Sequence, residues 1–173
     1  MKADRKIHSA VCVVPILLTL VALPPRLFAQ SWSVQVDKVD PGDVNIEPAF
    51  RVAIYENLLV ELAKTKQFKQ VFRGGDRNAR GPEVLILKTA VQKYTPGSET
   101  RRAVTTVSGA TKLNVRSQLS TPRGQVVVEH VVNGNVRFFG GNLRATHNLA
   151  RNVADALKKS DLPAPTLAVR EQK

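Results

Sequence analysis

The chain has 173 residues (19.0 kDa), of which 43% are hydrophobic, and its formal net charge is +12. This length predicts one domain, and this hydrophobic content excludes a wholly disordered chain. Because the chain has a single cysteine, disulfide-stapled scaffolds and multi-cysteine zinc or iron–sulfur sites are also excluded.

Residues 1–29 have the three-part pattern of a secretory signal peptide: a basic start, an apolar stretch over Ala10–Leu23 and the small residue Ala29 before Gln30. An uncleaved membrane anchor is the competing interpretation, but the apolar stretch is shorter than the roughly 20 residues that span a bilayer. A lipoprotein motif is missing, because Cys12 lies early in the apolar stretch rather than after it. We therefore expect cleavage near Ala29 and a periplasmic or secreted mature chain.

Charge is unevenly distributed along the predicted mature chain, whose net charge is about +9. Residues 30–63 hold two basic and six acidic side chains, whereas residues 64–102 hold ten basic and three acidic ones. Residues 103–173 hold ten basic and four acidic side chains. This basic protein is therefore expected to carry a polar surface field rather than an even coat of charge.

The first half of the mature chain predicts a strand, a helix and two further strands. Alternation marks a strand at Val34 and Val36, and apolar residues at three- and four-residue spacing mark an amphipathic helix over Ala49–Lys66. A short strand at 68–72 is followed by an exposed loop over Arg73–Pro82 and by a strand over Val84–Tyr94.

The second half predicts a long hairpin and a second helix. A strand over Ala103–Leu119, with a bulge at Gly109, leads through the type I turn of residues 121–124 into a strand that starts at Val126. Asn133-Gly134 is either a second hairpin turn or a bulge in a strand that continues to residue 139. A second amphipathic helix follows, with Asn142 as its N-cap, its apolar stripe over Leu149–Leu157 and its end near Lys158-Lys159. A flexible tail is expected over 161–173.

These elements predict a single α+β domain over residues 30–160. Its sheet is mixed, largely antiparallel and four- to five-stranded, and both helices pack on one face because each helix has a single apolar stripe. The opposite face of the sheet is expected to be polar or to meet a partner.

This layout resembles the bacterial domain of unknown function 4410 family of exported proteins, and more distantly small domains of envelope lipoproteins. The residues that carry the resemblance are Leu58-x3-Leu62-x5-Phe68-x2-Val71, Val84–Leu87 before Pro96-Gly97-Ser98, Ala110-x-Lys112-Leu113-x-Val115, Thr121-x2-Gly124-x-Val126, Gly140-Gly141 and the closing helix Leu149–Leu157. The resemblance implies an accessory role in the envelope and supplies no catalytic residue. The chain departs from the family in lacking the lipoprotein cysteine and in having Ser120 where an Asp commonly precedes the turn.

Motifs for catalysis, metal binding and cofactor binding are not found in the sequence. The mature chain contains two histidines, His130 and His147, without metal-ligand spacing, and it contains no Gly-x-Ser-x-Gly elbow. Gly74-Gly75-Asp76 lacks the Lys-Ser/Thr of a phosphate loop. We therefore predict no catalytic residue, no metal ligand and no cofactor.

Five arginines in two predicted loops form the candidate binding surface for an anionic partner: Arg73, Arg77, Arg80, Arg101 and Arg102. Basic clusters attract phosphate- and carboxylate-rich surfaces, so the expected partner is an anionic envelope polymer, a membrane surface or another envelope protein. The competing interpretation is a solvated surface, since the two loops can lie at opposite ends of the sheet. Nucleic acid is disfavoured, because the chain has an export signal and its aromatic residues belong to predicted core positions.

Three functions remain open at the level of sequence. The first is a non-enzymatic exported domain that binds or helps to assemble another envelope component. The second is an enzyme that acts on an envelope polymer, and the third is a structural subunit whose sheet edge pairs with itself. The sequence does not define the oligomeric state.

Overall fold

A computed structural model describes residues 32–98, 100–101, 109–136 and 141–165. The predicted signal peptide therefore lies outside the described residues. The elements in chain order are β1 (Ser33–Val36), α1 (Pro48–Thr65), β2 (Val71–Arg73), β3 (Val84–Thr95), β4 (Thr111–Ser120), β5 (Val126–Val136) and α2 (Arg144–Lys158).

The five strands form one mixed sheet in the order β2-β1-β3-β4-β5. Strand β1 pairs in parallel with both β2 and β3, whereas β3, β4 and β5 pair antiparallel in sequence. The predicted α+β class, with two helices and a mixed five-stranded sheet, is confirmed. None of the helices in the described ranges is both long enough and apolar enough to cross a membrane.

Helix α1 forms where the sequence places a proline in its first turn and a core residue on every turn. Pro48 fits the first helical turn, where its missing N–H costs no hydrogen bond. Phe50, Ile54, Leu58 and Leu62 are buried against the sheet, which is the stripe that their spacing predicts.

The sheet has one apolar face and one polar face. On β4, Leu113, Val115 and Leu119 are buried, while Lys112 and Arg116, which alternate with buried residues, are exposed. Because side chains alternate across a strand, this pattern places both helices on the side of the buried residues. The prediction of a single wet face is confirmed for β4.

The hairpin between β4 and β5 closes at the predicted turn. The Gly124 amide donates to the Thr121 carbonyl at 2.9 Å, and Thr121 N donates to the Gln125 carbonyl at 2.8 Å. Gly124 has a φ of +85°, a left-handed conformation that favours glycine.

The predicted bulge at Gly109 does not lie inside a strand. Strand β4 begins at Thr111, so Gly109 precedes the strand rather than forming a bulge inside it. The register instead shifts between Val91 and Lys93 and between Leu119 and Ser120. Residues 102–108, at the start of the predicted strand, lie outside the described residues.

Asn133-Gly134 is neither a turn nor a bulge within the described part of β5. Both residues stay in register with β4, and Gly134 lies opposite Leu113. The glycine is needed for close packing: a Cβ built on Gly134 would lie 2.5 Å from both the Ala145 carbonyl oxygen and the Leu149 Cβ of α2. Asn133-Gly134 has the sequence of a turn, but its glycine is required by the contact between β5 and α2.

The described part of the predicted tail packs on the domain. The Trp32 indole N–H donates to the Pro163 carbonyl at 2.6 Å, and Pro165 is buried. Contacts with the core therefore continue past residue 160 as far as residue 165.

Candidate functional site

Arg73 stands at the end of β2 and is held by an acidic partner on α1. Its two terminal nitrogens donate to the two carboxylate oxygens of Glu56 at 2.6 and 2.7 Å, a bidentate pair. The guanidinium also lies 5.8 Å from the centre of the Tyr55 ring. The hydrogen bond lowers the pKa of Glu56 and raises the pKa of Arg73. Arg73 therefore joins β2 to α1 with its charge already neutralised.

Arg77 and Arg80 lie in the connection between β2 and β3, and both are exposed. Asp76 orders the start of this connection, because its carboxylate accepts from the Asn78 amide at 2.9 Å. Within the described ranges, neither arginine forms an ion pair. These two side chains therefore remain available to an anionic partner.

Arg101 is exposed, and Arg102 lies outside the described residues. Arg73 is in register with Val36, which is itself in register with Leu87 of β3. Strand β3 then continues for eight more residues to Thr95, a distance of about 26 Å at the usual rise of a strand. The structure therefore does not bring Arg73 and Arg101 together.

We expect the double substitution of Arg77 and Arg80 by glutamine to reduce retention on anionic vesicles at low salt without lowering the melting temperature. The reason is that both side chains are exposed, and exposed charges attract a surface over about 10 Å at 0.1 M salt. Retention of the wild type should fall as salt rises.

The control is Arg73→Gln, which removes one positive charge where the double variant removes two, and which breaks the pair with Glu56. It is expected to lower retention by less than half as much as the double substitution, because Glu56 already balances Arg73. We call the β2–β3 connection with Arg73, Arg77 and Arg80 the arginine loop. If the double variant is retained as well as the wild type at low salt, the arginine loop serves solubility alone.

The two histidines lie on the helix side of the sheet and have partners of their own. His130 Nε2 is 2.8 Å from Ser160 Oγ, and His147 Nδ1 is 3.7 Å from Glu61 Oε1. Glu61 also pairs with Lys64 at 2.6 Å. Among the residues that the structure describes, no three histidine, cysteine or acidic side chains cluster as a metal site would require.

Among the cavities lined by described residues, three are open at the surface. The first, of about 310 Å³, has an apolar floor along α1 that includes Val39, Val52 and Tyr55, with Lys38 and Arg51 at the rim. The second, of about 580 Å³, lies between Trp32 and the 121–125 turn. The third, of about 300 Å³, is polar and lies where β5 meets α2. The residues that line these three cavities include no histidine, cysteine or serine.

At the third cavity, two asparagines of α2 reach the outer edge of the sheet. Asn152 Nδ2 donates to the Asn133 carbonyl at 2.7 Å, and Asn148 Nδ2 donates to the Asn135 carbonyl at 2.8 Å. We call these two contacts the amide clamp. The sequence analysis did not predict the amide clamp. The spacing of Asn148 and Asn152, one helical turn apart beside the buried stripe, indicates two side chains on the same side of the helix.

Comparisons with known proteins show the fold alone. No family model matches the chain, and no curated protein matches it. The structure is similar to a PelC dodecamer subunit from Paraburkholderia phytofirmans, with a TM-score of 0.57 and 14% identity over 77% of this chain and 91% of that one.

Two further solved structures share the fold. A Xanthomonas campestris protein of the DUF330 family has a TM-score of 0.50 and 13% identity, over 78% of this chain and 87% of that one. A hypothetical protein of Chlamydia trachomatis has a TM-score of 0.52 and 8% identity, over 74% of this chain and 96% of that one. The similarity to the domain of unknown function 4410 family remains a resemblance in sequence pattern.

Proposed function

We propose that the protein is an exported, non-enzymatic domain of the bacterial envelope that acts as a subunit of an assembly. The observation that carries the proposal is the fold shared with PelC, which forms a dodecamer. The predicted signal peptide supports the location, since it directs the chain to the periplasm or beyond. Membership of the domain of unknown function 4410 family is part of the same proposal.

The chemistry of the surface supports a binding role over catalysis. The cavities described above are lined mainly by amide, apolar and basic side chains, and the two carboxylates among them, Glu56 and Asp155, line different cavities. His130 and His147 lie near Ser160 and Glu61 respectively, rather than in one of these cavities. An enzyme acting on an envelope polymer is the alternative, and turnover of such a polymer by the purified protein would establish it.

The proposed function includes two kinds of binding partner. Other copies of the chain or another envelope protein form the assembly, and the exposed Arg77 and Arg80 attract an anionic polymer or membrane surface. The proposed function requires no metal and no cofactor.

The proposal is tested on protein expressed with its own leader and purified from the envelope fraction under native conditions. We expect the N-terminus to begin at or near Gln30 and the mass in solution to be a multiple of the mature chain. A chain that keeps Met1 and stays in the cytoplasm would contradict export. A processed chain with the mass of one copy, found with no envelope protein bound, would contradict assembly.

A further inference from the structure

Strand β5 forms one outer edge of the sheet, and its backbone groups alternate in direction. It has eleven residues, whereas β2 at the opposite edge has three. The carbonyls of Asn133 and Asn135 point away from β4, because the amide clamp reaches them from outside. In an antiparallel pair, the backbone N–H and C=O groups of every second residue point away from the partner strand. The backbone groups of Glu129 and Val131 therefore also point away from β4.

The amide clamp and a bulge define the ends of the open part of this edge. At its start, the register shift pairs Leu119 with Val128 and Ser120 with Val126, which leaves Val127 as an extra residue. At its end, the clamp occupies the carbonyl of Asn133. Between them, no group in the described ranges bonds to the outward-facing backbone of Glu129 or Val131. We call residues 128–132 the open edge.

The composition of the open edge and its flanks favours strand addition. Five of the seven residues from Val126 to Val132 are valine, and Val126 and Val131 are 47% and 56% exposed. Apolar β-branched residues on an uncovered edge are a template for pairing with another strand.

Glu129, the acidic residue of the open edge, does not place its charge where it would repel an added strand. Glu129 Oε1 lies 3.5 Å from the Arg116 Nε, and Glu129 Oε2 accepts from the Gln118 amide at 3.0 Å. Both partners belong to β4, so the carboxylate is held over the polar face of the sheet. Its charge is balanced there and does not project past the strand.

We propose that the open edge is where a second copy of this chain adds its own β5 in antiparallel orientation. The inference rests on the proposed function, because assembly of copies is what the open edge serves. Strand β2, at the other edge of the sheet, would form a weaker contact with an added strand. It has three residues, and its Arg73 is paired with Glu56. Pairing Glu129 of one copy with Val131 of the other avoids placing two glutamates opposite each other.

The amide clamp sets the length of this interface. An added strand loses its hydrogen-bond acceptor at Asn133, where Asn152 already donates. The clamp therefore limits pairing to a short segment of the eleven-residue strand.

Val131→Pro tests the interface on the full chain, expressed with its leader and purified from the envelope. The N–H that proline removes faces outward, so no bond to β4 is lost, whereas an added strand loses a donor. We expect the mass in solution to fall to that of one mature chain. Val131→Thr, which keeps the N–H and the branched shape, is the matched control and should keep the wild-type mass.

Hydrogen exchange read at single amides of the wild type supplies a second measurement in case the proline variant does not fold. The amides of Glu129 and Val131 should be protected in the assembled protein and should exchange rapidly on dilution to single chains. A folded Val131→Pro variant with wild-type mass, or rapid exchange at both amides in the assembly, overturns the inference and leaves the proposed assembly standing. A wild type with the mass of one chain overturns the inference, and it also overturns the proposed assembly if no other envelope protein is bound.

Discussion

Gly134→Ala is expected to destabilise the fold by about 3 kcal/mol, the upper part of the usual range for overpacking a core. A Cβ at this position would lie 2.5 Å from the Ala145 carbonyl oxygen and 2.8 Å from the Leu149 Cα. Both atoms belong to the backbone of α2, and Ala145 and Leu149 are fully buried. The helix must therefore move away from β5 to accept one methyl group. Chemical denaturation at equilibrium measures the change.

The matched control is Val131→Ala in the same strand. Val131 is 56% exposed, so its truncation is expected to change stability by less than about 0.5 kcal/mol in a single-chain state. If Gly134→Ala is as stable as the wild type, α2 does not approach β5 as closely as described.

Leu113→Asp is expected to cost more than about 4 kcal/mol or to prevent folding, since it places a carboxylate in the core without a partner. Leu113 is 1% exposed on β4. It lies opposite Gly134 in the register, in the part of the sheet that α2 covers. Circular dichroism and thermal unfolding detect the loss.

Asn114→Asp is the control one residue along β4. Asn114 lies on the opposite, polar face, where its side-chain amide donates to Asn133 Oδ1 at 2.8 Å. A carboxylate there accepts from the Asn133 amide once that side chain turns over, so the expected effect is small. Equal tolerance of both substitutions would show that Leu113 does not face a packed core on β4.

The features that sequence predicted well depend on neighbours in the chain. The stripe of α1 follows from apolar spacing, and the turn at Thr121–Gly124 follows from a proline and a glycine at fixed positions. The alternation on β4 shows which side chains face the core. Each signal lies within a few residues, so no tertiary contact is needed to read it.

The arginine loop contains a contact that local sequence patterns could not predict. Sequence places Arg73, Arg77 and Arg80 together, because they share one segment. The structure gives Arg73 a bidentate acidic partner 17 residues away on α1, which a charge count does not reveal. Arg77 and Arg80 remain exposed, so the candidate surface in this loop narrows to two side chains.

The sequence by itself determined the α+β class, the order of the elements, the faces of α1 and β4 and the hairpin turn, because periodicity and turn chemistry are local. Only the tertiary structure decided that Asn133-Gly134 continues a strand, since the contact that requires glycine comes from α2. The same holds for the amide clamp and the open edge beside it. Hydrogen bonds between a helix side chain and a distant strand depend on how the layers pack, and packing joins residues that no local pattern relates.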